Sequence, residues 1–185
     1  KNGFVYINGK QNVLPDRAKL QFSYMIETKN GPFNSSQLAN RYNITDFPQY
    51  NQDGSVSYFP AITDEDLNTF KNHPNVKSIT PLKEEKGKRD PNIFPQNPDY
   101  NWNNDFFGPL YIPQAGKTID INLNVLPLYK RVITAYEGNT LKIQGNQILI
   151  NGKIATTYTF KQDYYWMMGD NRHNSQDARA WGFVP

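Results

Sequence analysis

At 185 residues the chain is long enough for one substantial core or two small ones. Its 20 basic and 17 acidic residues leave a net charge of +3, and the basic residues are scattered, so no nucleic-acid partner is expected. The absence of cysteine excludes a disulfide scaffold, a thiolate nucleophile and a Cys-based metal site. No apolar run approaches the roughly 18–20 residues of a membrane helix, so the chain as given is expected to be soluble. Hydrophobic residues make up only 37%, yet aromatics reach 14%, with 12 Tyr and 11 Phe. Tyr-rich strands interspersed with Pro and Asn imply a loop-heavy β protein.

In chain order, Asn2-Gly3 and Asn8-Gly9 are hairpin-turn dipeptides around the strand-like Phe4-Val5-Tyr6-Ile7. A near copy recurs at Gln144–Lys153, where Thr140–Ile143 supplies a preceding arm; at the start of the chain that arm is missing, which implies that Lys1 is a cut. After a Pro-containing loop at Val13–Asp16, near-alternating apolar residues predict a strand over Lys19–Thr28. Asn34 or Ser35 can cap a helix to about Tyr42, with Leu38 and Tyr42 on one face. A strand over Ser55–Ile62, interrupted by Pro60, leads to Thr63 and the acidic Asp64, Glu65 and Asp66, which open a second helix. That helix stops before His73-Pro74, and Val76–Leu82 reads as a strand. The order implies a small α+β unit over about 18–83.

Residues 84–107 read as a long ordered loop tied down by Phe94, Tyr100 and Trp102, and the mixed charges of Lys83–Asp90 read as a solvated segment. Short strands are predicted at Leu110–Ile112 and Thr118–Asn122. Asn124 is placed to cap a helix over Val125–Tyr136, whose Leu128, Val132, Ile133 and Tyr136 form an apolar stripe. The hairpin follows, and Ile154–Phe160 leads to an aromatic strand, Tyr164–Met168.

That strand stops at Gly169. The polar loop beyond it holds Asp170, Asn171, Arg172, His173, Ser175, Asp177 and Arg179, and a second apolar piece begins at Trp181. Charges this crowded between apolar segments are expected to pair with one another. A triad of Asp170, His173 and Ser175 is rejected, because residues two and three apart in one loop seldom reach the linear nucleophile–base–orienter geometry. A calcium loop fails because Arg172 is a cation and Ser175 stands where Gly belongs. With two His and no Cys, zinc is not expected, and His73 reads as a helix-end residue.

The run Gly169–Gly182 resembles the signature box of the type I signal peptidases, Gly-Asp-Asn-Arg-x-x-Ser-x-Asp-Ser-Arg-x-x-Gly, with Ala178 in place of one Ser. The opening Lys1–Gly9 resembles the stretch that follows the Lys motif of that family. Gly-Pro-Leu-Tyr-Ile-Pro and Leu-Pro-Leu-Tyr-Lys-Arg resemble its Bacteroidetes branch. The resemblance implies a membrane-anchored serine endopeptidase of the extracytoplasmic (periplasmic) face of the inner membrane. Its Ser/Lys dyad cleaves signal peptides from exported preproteins without metal or other cofactor. None of the seven Ser (23, 35, 36, 55, 57, 78, 175) lies in Ser-x-Met-x-Pro and no Lys motif is present, so nucleophile, base and N-terminal anchor are expected outside this chain, and the chain itself is expected to be inactive.

By the resemblance, Ser175 is the residue that orients the Lys, and Gly169, Asp170, Asn171, Arg172, Asp177 and Arg179 are its supports. Any hydrogen bond of the Ser replaced by Ala178 is expected to be lost or replaced by water. The implied organisation is a mainly β protein: a non-catalytic α+β insertion over 1–160, comprising the 18–83 unit, the 84–107 loop and a strand-helix-hairpin over 108–160, then the antiparallel core segment 161–185. A self-cleaving repressor of the Ser/Lys type is the rival enzyme reading. The rival of another class is an extracytoplasmic peptide- or glycan-binding module gripping its ligand with the Tyr/Trp/Asn-rich loop 92–107.

Overall fold

A computed structural model describes residues 4–15, 19–42, 44, 46 and 48–185. Asn2-Gly3 and Asp16 lie outside the described residues. Antiparallel sheets with a few short helices make up the fold, and the chain divides into two compact units, residues 1–85 with 169–175 and residues 86–168 with 176–185.

The first unit is built on a four-stranded antiparallel sheet. Its strands are β3 (Gln21–Thr28), β4 (Gln49–Tyr50), β5 (Val56–Thr63) and β6 (Val76–Pro81), in the order β4-β5-β3-β6. Alternation places Tyr24 and Ile26 opposite Phe59 and Ser57, all buried. Helices α1 (Ser35–Tyr42) and α2 (Asp64–Lys71) bring Leu38, Tyr42 and Phe70 into the same core. Phe33, Phe59 and Phe70 form a ring trio with centroids 5.3–5.9 Å apart. Both caps follow from sequence. Asn34 Oδ1 accepts from the N–H of Ser36 and Gln37, and Thr63 Oγ1 accepts from Asp66 N–H while donating to Asp66 Oδ2. His73 sits just past α2, its ring 5.2 Å from Phe33.

Ahead of this sheet, β1 (Tyr6–Ile7) and β2 (Lys10–Gln11) pair across Asn8-Gly9, while the turn expected to lack its preceding arm, at Asn2-Gly3, lies outside the described residues.

In the second unit, β7 (Thr118–Asp120) pairs with β11 (Thr157–Thr159), and β8 (Leu141–Gln144), β9 (Gln147–Ile150) and β10 (Lys153–Ile154) form a meander. Helix α3 (Leu126–Arg131) runs on as a π-helical turn, Val132–Tyr136, and buries Leu128, Val132 and Ile133 as the stripe requires. Asn124 does not cap it: the N-cap position is Val125, which makes no side-chain cap bond, and Asn122 Oδ1 accepts from the N–H of Asn124 and Val125 in the turn that leads in. Leu110–Ile112 is not a strand. Pro109 and Pro113 flank it without N–H groups, and nearby carbonyls take other partners, Tyr111 O from Tyr129 O–H and Pro113 O from Tyr164 N–H. The loop aromatics Tyr100, Trp102 and Phe107 pack against the core, with Phe107 5.1 Å from Trp166. Among the described residues no helix is long and apolar enough to cross a membrane, and no cluster of three His, Asp or Glu is placed to hold a metal ion.

A buried carboxylate that sequence reasoning missed ends the π-helical turn. Glu137 accepts from Tyr158 O–H, Tyr164 O–H and Lys161 N–H, and Asn139 Nδ2 donates to the Tyr158 oxygen. Burial, reinforced by the Glu137 carboxylate, pushes the Tyr158 phenol well up. The same causes take Tyr164 to about 12, with Gln162 opposing. Because these folded pKa values lie above the usual 10.0, the stabilisation is complete below pH 10 and is lost as pH rises towards 12. Urea midpoints are expected to hold up to about pH 10 and then fall, with phenolate absorbance rising alongside unfolding. Glu137→Gln, which sets an amide donor against groups that need an acceptor, should lower stability near neutral pH by roughly 1–3 kcal/mol.

Candidate functional site

The sheet of the first unit holds the first half of the polar box. In β3, residues 21 and 23 direct their backbone groups to the β6 edge. There Leu82 N–H donates to Ser23 O at 3.0 Å as β6 ends. Beyond that point the box takes over the edge. Gln21 N–H donates to Asp170 O and Arg172 N–H donates to Gln21 O, each at 2.9 Å, forming a parallel bridge between Gln21 and Asn171. The remaining N–H, that of Ser23, donates to His173 Nδ1 at 3.0 Å, and the His173 ring meets Phe22 edge-on at 5.8 Å.

Pro60 shapes the other side of Ser23. Phe22 pairs with Ile62 but Tyr24 with Phe59, so Pro60 and Ala61 together oppose Ser23 in a bulge. Ser23 Oγ donates to Pro60 O at 2.8 Å, closing it. The proline expected to interrupt β5 thus bends the pairing without ending the strand.

Within the loop, half-buried Ser175 donates its hydroxyl proton to Asn171 O at 2.7 Å. His173 and Ser175 are tied in these bonds to different backbone groups. The Asp170 side chain is exposed and Arg172 is buried. Asn171 Nδ2 points to Asp46 Oδ2 at 3.5 Å, and Asn171 Oδ1 is a buried acceptor with no donor among the described residues.

Residues 176–182 fold with the second unit. A four-residue helix, α4 (Ala178–Trp181), is capped by Asp177, whose Oδ1 accepts from Arg179 N–H at 3.0 Å. The same carboxylate grips the Arg179 guanidinium, Nε to Oδ1 at 2.9 Å and Nη2 to Oδ2 at 2.8 Å, with both side chains almost fully buried. The expected pairing is therefore present here, while Asp170 stays in solvent. Ala178, fully buried, donates its N–H to Met167 O at 3.0 Å. The expected strand Tyr164–Met168 reduces to one bridge, Tyr165 with Val184, because this segment spends its other backbone groups on Pro113 and Ala178.

The loop at Phe94–Gln96 straps α4. Phe94 N–H donates to Arg179 O at 2.7 Å and Gln96 Nε2 to Ala180 O at 3.0 Å. The Phe94 ring lies against Gly182, which has φ +90°; a Cβ there would stand 2.7 Å from the ring. No sequence signal linked Phe94 to Gly182.

Residues 154–185 match the family described as signal peptidase, peptidase S26. Among curated proteins, signal peptidase I of Aquifex aeolicus is 61% identical over 28 residues, covering 15% of this chain and 11% of that protein. Signal peptidase I of Leptolyngbya laminosa is 38% identical over 69 residues, covering 30% of this chain and 34% of that protein. The chain therefore covers about a third or less of the length of either relative. No solved structure matches.

Two outcomes follow for the second half of the box. Arg179→Ala strands a buried carboxylate and should cost roughly 3–5 kcal/mol. Adding Asp177→Ala should cost less than the sum, and strictly additive denaturant melts would show that the pair is uncoupled. Gly182→Ala combines left-handed strain with a ring clash and should cost at least about 2 kcal/mol. Phe94→Leu in that background should recover part of the loss, since it relieves the clash and leaves the backbone strain.

Proposed function

We propose, from the premise that residues 154–185 belong to the signal peptidase family, that this chain is a segment of a membrane-anchored type I signal peptidase cleaving signal peptides from exported preproteins at the extracytoplasmic face. In this reading residues 1–160 are an insertion, residues 161–185 belong to the catalytic core, and the Ser nucleophile and Lys base come from other segments. The Bacteroidetes branch is the proposed source.

One observation supports the role of Ser175 best. Its proton is committed to Asn171 O, so the oxygen faces any amine as an acceptor. A neutral Lys amine would donate one N–H to Ser175 Oγ and turn its lone pair to the nucleophilic Ser. As that Ser attacks the scissile carbonyl carbon, its proton passes to the Lys, which then protonates the leaving amine. Ser175 acts through the base and is a positioning residue, with Gly169, Asp170, Asn171, Arg172, Asp177 and Arg179 supporting it. No step calls for a metal or other cofactor.

The purified 185-residue chain should not cleave a preprotein. Turnover by it, abolished by Ser175→Ala, would overturn the assignment. In the full-length protein Ser175→Ala should lower kcat more than it changes KM, by less than loss of the Lys, since a general base contributes about 10²–10⁴-fold. A wild-type rate would reduce Ser175 to a turn residue.

A further inference from the structure

We infer that His173 is a positioning residue that sets the register of the signature loop on β3 and thereby fixes Ser175, so that the sheet of the first unit tunes the peptidase base. The inference rests on the function proposed above, but its structural half can be tested without it.

The bridge at Gln21 fixes Asp170 and Arg172 on either side of Asn171, and the Asn171 carbonyl holds the Ser175 hydroxyl. Two backbone bonds specify little by themselves. A strand presents the same pleat every two residues, so a loop slipped by two would find equivalent backbone groups. The third bond breaks that degeneracy, because it joins one side chain, His173, to one N–H, that of Ser23. Ser23 is distinctive on this edge: its C=O is taken by the last residue to leave with β6, and its N–H is given to His173. The bulge opposite, with Ser23 Oγ on Pro60 O, holds that N–H in place. As an acceptor at Nδ1, the ring carries its proton on Nε2 in this bond. An Asn side chain would set Oδ1 near the same point, and an Ala would set nothing there.

Amide exchange of the 185-residue chain and turnover of the full-length protein test this together, using His173→Ala and His173→Asn. In the Ala variant, exchange at Ser23 and Arg172 should quicken about tenfold or more while Phe59, deep in β5, keeps its protection; in the Asn variant both should stay near wild type. In the full-length peptidase, His173→Ala should lower kcat about tenfold with KM little changed, and His173→Asn should restore most of it. Unchanged exchange at Ser23 and Arg172 in the Ala variant overturns the inference, as does a wild-type kcat. An Asn variant as deficient as the Ala variant overturns the acceptor role and assigns the effect to ring packing on Phe22. Should wild-type full-length protein cleave no preprotein, the proposed function falls, and the exchange arm alone decides whether His173 sets the register.

Discussion

The backbone of the polar box cannot satisfy itself, and the arrangement around it answers that demand. Between Gly169 and Gly182 the only regular element is the four-residue α4, yet several of these residues are buried and their amides and carbonyls need partners. Remote chain supplies them: Gln21 and Ser23 for the first half, Phe94, Gln96 and Met167 for the second. The Asp177–Arg179 fork belongs to the same account. A buried ion pair contributes little net stability once desolvation is counted. Here one carboxylate oxygen takes both the Arg179 N–H and its Nε, so the pair fixes backbone and side chain together.

Elements whose cause is local were legible in the sequence. Alternation gave β3, the Leu38–Tyr42 spacing gave α1, and Thr63 with its acidic followers gave α2 to within a residue or two. The box itself stood out by its residue order. What stayed hidden depends on partners distant in sequence. Tyr164–Met168 has the composition of a strand, but its neighbours leave it one bridge. Leu110–Ile112 has the residues of a short strand, but its flanking prolines and the demands of Tyr129 and Tyr164 draw its surroundings out of any ladder. Asn124 looked like a cap, but the turn ahead of α3 is tied by Asn122, whose Oδ1 accepts from the N–H of Asn124 and Val125. Glu137 carries no local sign of burial, which depends on Tyr158 and Tyr164, well downstream, closing over it.

The two halves of the box leave different traces in sequence, and this bears on what the family match over residues 154–185 can carry. At Gln21 the contact is made entirely by backbone, which any residue but proline supplies, so the supporting strand can change freely in sequence and still hold the loop. At Gly182 the constraint is a side chain: the glycine is required because the Phe94 ring occupies the space a Cβ would need, on top of a φ that only glycine adopts without strain. His173 stands between these cases, a side chain that reads a backbone N–H. The segments that give the box its shape in this chain, β3 and the Phe94–Gln96 strap, lie outside residues 154–185. Residues 154–185 therefore carry the box, while two of the segments that hold it are written elsewhere in the chain.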